Sequence, residues 1–509
     1  MTSLTASPQL PLPASTPAAT TTKTRPEALE PHVIRTGIVV VLGTIMAILD
    51  STIVAVALSR LGSDLHSPLS TIQWVTTAYL LALAVVIPVS GWAVHRFGAK
   101  PIYMTSLAVF VLGSALCGVA WSAGALIMFR VLQGLGGGMI QPVGQTLMAR
   151  SAGPEKMGRV MAVIGIPTML GPILGPVLGG LIISNVSWRW IFFVNLPVGL
   201  VAMAAAARFL PRPAADKGHR FDLAGFLSLS PGLALLVYGL SKVSGSTGFA
   251  SWSVLTPLLA GLTLIAAFVV RSSKSPEPLI DLGLFRRRSF SVASTNIFLT
   301  GAVLYGAMFL LPLYYEIVRG MSPWQAGLMM APQGIGAALV MRKAGQLSDQ
   351  RGPRTMVPLG MAIMALGTLA FAFSGASTSL WLLGAALVVR GAGLGLAMMP
   401  VVAASYQGLS HDELPRATAA TSIIRQVGGS IGVALFSVVL SSSLASHFGT
   451  SSMPAAAAGK LPPAIASIVA SSFSTAYWWA FAAASLAVLP ALFLPKRAAG
   501  SSAQVSLDE

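Results

Sequence analysis

The chain has 509 residues, of which 54 % are hydrophobic and only 9 % charged, against about 25 % charged in soluble domains. That composition excludes a soluble enzyme, a disordered protein and a secreted disulfide scaffold, and with Cys117 as its single cysteine the chain offers no Cys/His metal site. The net charge of +17 does not point to nucleic acid, because Lys and Arg stand in short clusters between apolar runs and not in a stripe interleaved with aromatics.

Residues 1–34 are rich in Pro, Thr, Ala and Ser and lack the apolar core of a signal peptide, which reads as a disordered tail. Beyond it, about 20 apolar residues suffice to span a bilayer. Fourteen such runs are placed near 36–58, 71–94, 101–121, 123–149, 158–184, 188–210, 221–241, 252–271, 290–316, 323–345, 354–374, 378–407, 416–445 and 473–495. The fold expected is an all-α polytopic membrane protein with 14 transmembrane helices. One set of connections carries most of the basic residues, from Arg96, Lys100 and Arg150 through Arg286, Arg287 and Arg288 to Lys496 and Arg497. The opposite set carries only Arg60, Arg189, Lys242, Arg319 and Lys460. The basic set is expected to be cytoplasmic, and with it both termini.

The chain contains an internal repeat. Gly91-Trp-Ala-Val-His95-Arg96-Phe-Gly98-Ala-Lys100 is matched by Gly345-Gln-Leu-Ser-Asp349-Gln-Arg-Gly352-Pro-Arg354, each position 254 residues on. Arg130 and Pro142 of the fourth run correspond to Arg390 and Pro400 of the twelfth. The expected organisation is therefore a six-helix bundle at 35–210, two inserted helices at 211–285, a second six-helix bundle at 286–496 and a short tail at 497–509. Parallel repeats with a site at their interface are a transporter architecture.

Asp50 is the only carboxylate well inside an apolar run. Such a group costs roughly 2.5–3.5 kcal/mol on insertion scales, so it must face a cavity, be protonated or be paired. It lies ~12 Å from the outer end of its helix and Arg130 ~10 Å from the outer end of the fourth, at 1.5 Å per residue. The two thus sit at similar depth, either as a titrating carboxylate tuned by an arginine or as a static pair that locks two helices. Arg390 and Arg425 are further buried cations, each followed by glycines, and serve as interhelical anchors or in transport. Glu316 is a charge at the outer rim. The fifth run carries Gly165, Pro167, Gly171, Pro172, Gly175, Pro176, Gly179 and Gly180. Glycines four apart make a smooth stripe, and the prolines bend the helix. The stripe is expected to pack across the bundle interface. Gln73, Tyr79, Gln133, Gln141, Gln145, Asn296, Tyr305 and Arg425 are candidates to line a substrate cavity.

The ordered motifs resemble the major facilitator superfamily, and within it the fourteen-helix drug:proton antiporters of the EmrB/QacA type. The residues that carry the resemblance are Leu49-Asp50-Ser-Thr-Ile-Val-Ala-Val-Ala-Leu, Arg130-Val-Leu-Gln-Gly-Leu-Gly, Gly165 to Gly180, and Trp188-Arg-Trp-Ile-Phe-Phe-Val-Asn-Leu-Pro197. The resemblance implies alternating access in a bacterial cytoplasmic (inner) membrane, with drug export driven by inward proton movement. It gives Asp50 as the proton or substrate carboxylate, Arg130 as the relay arginine and 165–180 as the antiport element. Gly91, His95, Arg96, Gly98, Lys100, Asp349 and Arg354 would form the cytoplasmic gate. His95 departs from the family, which has an acid there, so the lock is expected to depend more on Asp349.

The expected function is a proton-coupled multidrug efflux antiporter. The alternatives are an exporter dedicated to one metabolite or lipid and a non-transporting scaffold. No convergent nucleophile, base or metal set suggests an enzyme, and no phosphate loop suggests direct nucleotide use. No cofactor is expected. The expected partners are protons, the bilayer and lipophilic small molecules, cations among them, with a monomer compatible with the sequence.

Overall fold

The structure, a computed structural model, describes residues 30–152, 171, 174–175, 177–183, 185–211, 220–243, 251–275, 277–448 and 461–495. Regular structure among them is helical throughout. We label the helices α1 (Pro31–Asp64), α2 (two arms, Leu69–Val86 and Val89–Phe97), α3 (Ala99–Gly118), α4 (Ala123–Ala152), α5 (continuous over 177–183) and α6 (Asn195–Phe209, preceded by the turn Trp190–Phe193). There follow α7 (Leu223–Ser241), α8 (Trp252–Ser272), α9 (Arg288–Leu313, prolonged by a π turn over Tyr314–Val318), α10 (Pro323–Arg351), α11 (Pro353–Ala372), α12 (Leu380–Ser405), α13 (Leu414–Phe448) and α14 (Pro463–Leu486).

Eleven of the described helices are long and apolar enough to cross a membrane, or twelve if the arms of α2, bent by 54° at Pro88, are one span. The chain is a multi-pass membrane protein, and the expected count of fourteen differs for two reasons. Most of the run 158–184 lies outside the described residues, among them Gly165, Pro167, Pro172 and Pro176. Helix α10 is 29 residues long but is diluted by Trp324, Gln325, Pro332 and Gln333, and its C-terminal end carries several charges.

The repeat in the sequence reappears as a repeat in packing. Helix α4 packs on α1, α2 and α3, as α12 packs on α9, α10 and α11. Likewise α6 packs on α1 and α3, and α14 on α9 and α11. The connection after the second helix of each set turns at a matched glycine, Gly98 with φ 87° and Gly352 with φ 80°. Only glycine enters that region without a steric penalty, so both glycines are required by backbone geometry.

The two sets meet along α13, which packs on α4, on the second arm of α2 and on α7. The polar contacts across this seam lie toward the face that carries the basic connections. Thr146 Oγ1 and Thr418 Oγ1 are 2.7 Å apart, Arg150 donates to the His411 carbonyl at 3.1 Å, and the Tyr406 hydroxyl donates to Gln145 Oε1 at 3.1 Å. Helix α7 lies beside the seam, with Tyr238 stacked on Trp74 of α2 at 5.6 Å. It crosses α8 where Gly232 meets Gly261, so closely that a methyl group on Gly261 would stand 2.7 Å from the Gly232 carbonyl oxygen.

Candidate functional site: a buried carboxylate–arginine cluster

Asp50 and Arg130 meet. α1 and α4 bring the carboxylate Oδ2 within 2.5 Å of the guanidinium Nη1, with both side chains fully enclosed. Gln133, one turn beyond Arg130, donates to Asp50 Oδ1 at 2.8 Å and accepts from Arg130 Nη1 at 2.9 Å. Asn195 at the start of α6 donates to the same Oδ1 at 3.0 Å and to Ser114 Oγ of α3 at 3.0 Å. Ser114 in turn donates to the Phe192 carbonyl at 2.9 Å. Arg130 Nε donates to the Val75 carbonyl at 3.2 Å, and its guanidinium lies 4.0 Å from the centre of the Tyr79 ring. Four helices and the turn before α6 thus converge on one carboxylate.

The donor set fixes what this cluster can do. The Asp50 carboxylate is an acceptor only and takes a donor from three side chains. A proton on Oδ2 would turn that acceptor into a donor and set it against Arg130, which can only donate. An ion pair with Arg130 and a proton on Oδ2 would therefore exclude one another, and the arrangement present is the ion pair. Burial sharpens the difference, since removing one partner of such a pair leaves a charge without compensation. Arg130 Nη2 is itself buried without a hydrogen-bond partner among the described residues.

Asn195 was not among the expected site residues, although it lies in the Trp188–Pro197 motif; only the rotation of α6 about its axis decides whether it faces Asp50. Replacing Asn195 with leucine removes a donor from Asp50 and leaves Ser114 without its amide partner. The expected loss of stability is about 1–3 kcal/mol, together with a changed pH profile of transport. Thermal unfolding in detergent and transport at stepped pH check this, and a variant unchanged in both would show that Asn195 is a bystander.

Among the described residues the second set has no such carboxylate. Arg390 of α12 is 2 % exposed and donates to Gln333 of α10, to Thr368 Oγ1 at 3.2 Å and to the Val303 carbonyl at 3.4 Å. Its partners are neutral, so it serves as an interhelical anchor where Arg130 forms an ion pair.

The expected cavity residues scatter. Tyr79 and Gln133 are closed into the Asp50 cluster, which leaves them little to offer a ligand. Gln73 is exposed. Asn296 is buried and donates to its own helix at Val292. Tyr305 is half-buried against the glycines of α13, where a methyl on Gly429 would lie 2.6 Å from its ring. Gln141 is half-buried, and Gln145 and Arg425 lie at the seam.

The glycines of α5 that are described face α1, within their own set, and not the other bundle. A methyl on Gly171 would collide with Ile48 and one on Gly175 with Thr52, and one on Gly179 would lie 2.9 Å from Ile53. The expectation of packing across the interface is corrected: the stripe lies against the helix that carries Asp50. Only Gly180, 3.7 Å from Trp324 by the same measure, approaches the second set. The second set repeats the device, with Gly428 and Gly432 of α13 packed on Phe298 and Ala302 of α9.

At the basic face, a methyl on Gly91 would lie 3.1 Å from the Pro415 carbonyl oxygen and 3.3 Å from Arg416 Cα, so α2 and α13 touch backbone to backbone. His95, on the same arm, lines a cavity of about 100 Å³ with Asp281, Asp412, Glu413 and Arg416. Glu413 is held by Arg287 at 2.5 Å. Lys100 turns away and donates to the carbonyls of Ala207 and Leu210 at 2.7 and 2.8 Å, capping the end of α6. Arg96 is half-buried, and Arg354 is exposed beside a separate cavity. The side chain of Asp349 lies outside the described residues. Leucine at 91 cannot be accommodated in this contact and is expected to wedge the basic face open. Spin-label distances between the ends of α4 and α13 should lengthen, whereas unchanged distances with normal transport would show that the contact does not hold the face shut.

Comparison with known proteins places this architecture. Residues 40–433 match the Major Facilitator Superfamily. The chain is 44 % identical over 418 residues to the multidrug resistance protein B homolog of Mycobacterium tuberculosis, covering 82 % of this chain and 77 % of that one. It is 30 % identical over 392 residues to the multidrug transporter protein MdtP of Bacillus subtilis, covering 77 % and 72 %. Among solved structures, the human organic anion transporter MFSD10 superposes with a TM-score of 0.58 at 18 % identity, over 89 % of this chain and all of that one. The proton:xylose symporter XylE does so with a TM-score of 0.60 at 13 % identity, over 90 % and 94 %; these two likenesses concern the fold alone. By its sequence match and its repeated helical packing, the chain belongs to the major facilitator superfamily of membrane transporters.

Proposed function

We propose that this protein is a proton-coupled multidrug efflux antiporter of the fourteen-helix EmrB/QacA type, working by alternating access. The sealed Asp50–Arg130 pair carries the reading, since it is a carboxylate at membrane depth whose partners allow either an ion pair or a proton. Helix α1 links it to movement. One face of α1 holds Asp50, and another lies on the glycines of α5 through Ile48, Thr52 and Ile53. A change of charge at Asp50 is thereby felt at a contact smooth enough to slide. The halves 35–210 and 286–496 would rock about the seam, with 211–285 beside it. The basic face is the cytoplasmic one, both termini lie there, and the membrane is the bacterial inner membrane. The contacts at Gly91, Thr146 and Arg150 then correspond to a closed cytoplasmic side. The substrates are several unrelated drugs, as the names of the similar proteins suggest, and in this reading they are lipophilic small molecules.

The test is a drug-susceptibility panel in a pump-deficient bacterial host, with and without a protonophore. Resistance to several unrelated drugs that the protonophore abolishes is the expected result. Resistance to none, with one metabolite accumulating in a deletion strain, would replace this reading with a dedicated exporter.

A further inference from the structure

Arg425 lies in α13, about 11 residues from its basic end, or ~16 Å at 1.5 Å per residue, within the apolar stretch of a 35-residue helix. It is 8 % exposed, yet it makes no hydrogen bond or ion pair with any described residue. Its nitrogens are not among the fully enclosed side-chain atoms, so the charged end keeps access to open space at the seam. An ionisable group at this depth calls for a partner, and none of the described residues supplies one.

Arg425 shares a face of α13 with Thr421, one turn before it, and Thr421 meets the Tyr406 hydroxyl. That hydroxyl lies 3.2 Å from Thr421 and donates to Gln145 Oε1. With Oε1 engaged, the Gln145 amide turns its two N–H donors the other way. A guanidinium from one half and an amide N–H₂ from the other thus lie on either side of the Tyr406 hydroxyl and its contacts with Thr421 and Gln145. The embedded carboxylate cannot balance the charge, because Asp50 is committed to Arg130, Gln133 and Asn195. Asp50 is thus not free to act as the counter-charge of a cationic substrate in this arrangement.

We infer that Arg425 and Gln145 form a substrate subsite for a lipophilic molecule that carries one oxyanion, such as a carboxylate, sulfonate or phosphate. The planar guanidinium fork matches such a group in two hydrogen bonds. A ligand held there touches both halves at once. The inference deepens the efflux reading and rests on it for the word substrate, but binding is measurable without transport.

The experiment uses the purified full-length protein in phosphatidylcholine nanodiscs and two dyes on one xanthene scaffold, anionic fluorescein and cationic rhodamine 6G, read by fluorescence anisotropy. Wild type should bind fluorescein more tightly. Arg425→Gln should weaken fluorescein binding about tenfold or more and leave rhodamine 6G unchanged or tighter, while Arg425→Lys retains most of the affinity. Should Arg425→Gln fail to fold, Gln145→Leu should produce a smaller loss, again confined to fluorescein. Phosphatidylglycerol that competes with fluorescein would assign the oxyanion to a lipid headgroup; indifference to it would assign a free small molecule. Equal loss of both dyes in a folded Arg425→Gln protein, or no loss of either, overturns the subsite. Selective fluorescein binding in a protein that confers no efflux in cells would overturn the efflux reading alone.

Discussion

Asp50→Asn is expected to abolish protonophore-sensitive drug export and to lower the stability of the protein without unfolding it in the membrane. Asparagine keeps the shape and most of the hydrogen bonds to Gln133 and Asn195, but it carries no charge and takes no proton. Arg130 is then a fully buried cation with no counter-charge, a situation that costs roughly 3–5 kcal/mol when one partner of a buried pair is removed. A second substitution separates the two consequences. In Asp50→Asn combined with Arg130→Gln the cluster is neutral again, and much of the lost stability should return, since neutral replacements of buried pairs are often well tolerated. Export should not return, because the titrating group is still absent. Melting temperatures in detergent and drug accumulation in cells provide the two readouts. Export at the wild-type level by Asp50→Asn would make the pair a static lock between α1 and α4.

The second large effect is expected at Gly175. The Cβ of any side chain there would collide with Thr52, whose hydroxyl is tied to the carbonyls of Ile48 and Leu49 at 3.0 and 3.1 Å. Thr52 thus has little freedom to yield. Overpacking by even a methyl costs about 1–3 kcal/mol, and Gly175→Leu would force α5 off the helix that carries Asp50. Export should fall at least tenfold while the protein still inserts, because leucine favours insertion. Export assays normalised to the amount of protein in the membrane test this. Intact export with leucine at 171, 175 and 179 together would mean that the contact with α1 is not used in the cycle.

Much of this arrangement is legible in the sequence, and what is not has identifiable causes. The pairing of Asp50 with Arg130 follows from depth alone, since two opposite charges at one level of a small bundle have few other partners. The repeat follows from the 254-residue spacing, and the matched turns at Gly98 and Gly352 give it a backbone cause. Rotation of a helix about its axis is harder to read, because Gly- and Ala-rich helices carry little periodicity. For that reason nothing in the sequence singles out Asn195 and Ser114, Gln133 reads as a cavity residue and not as a partner of Asp50, and the glycine stripe reads as facing the other bundle instead of α1. The setting of His95 is equally non-local: the carboxylates around it come from 281, 412 and 413. Arg425 was visible as a buried cation, but its lack of a partner could be seen only once the helices around it were in place.

The central claim, that Asp50 exchanges its proton as substrate binds, is tested most directly by proton release. Purified protein in lightly buffered detergent, near neutral pH, is mixed with a drug to which it confers resistance, and a pH-sensitive dye follows the solution. Wild type that starts with Asp50 protonated should release protons in a saturable amount that tracks drug binding, as the ion pair with Arg130 forms, and Asp50→Asn should bind the drug but release none. Undiminished release from Asp50→Asn would place the coupling proton on another group and contradict the account.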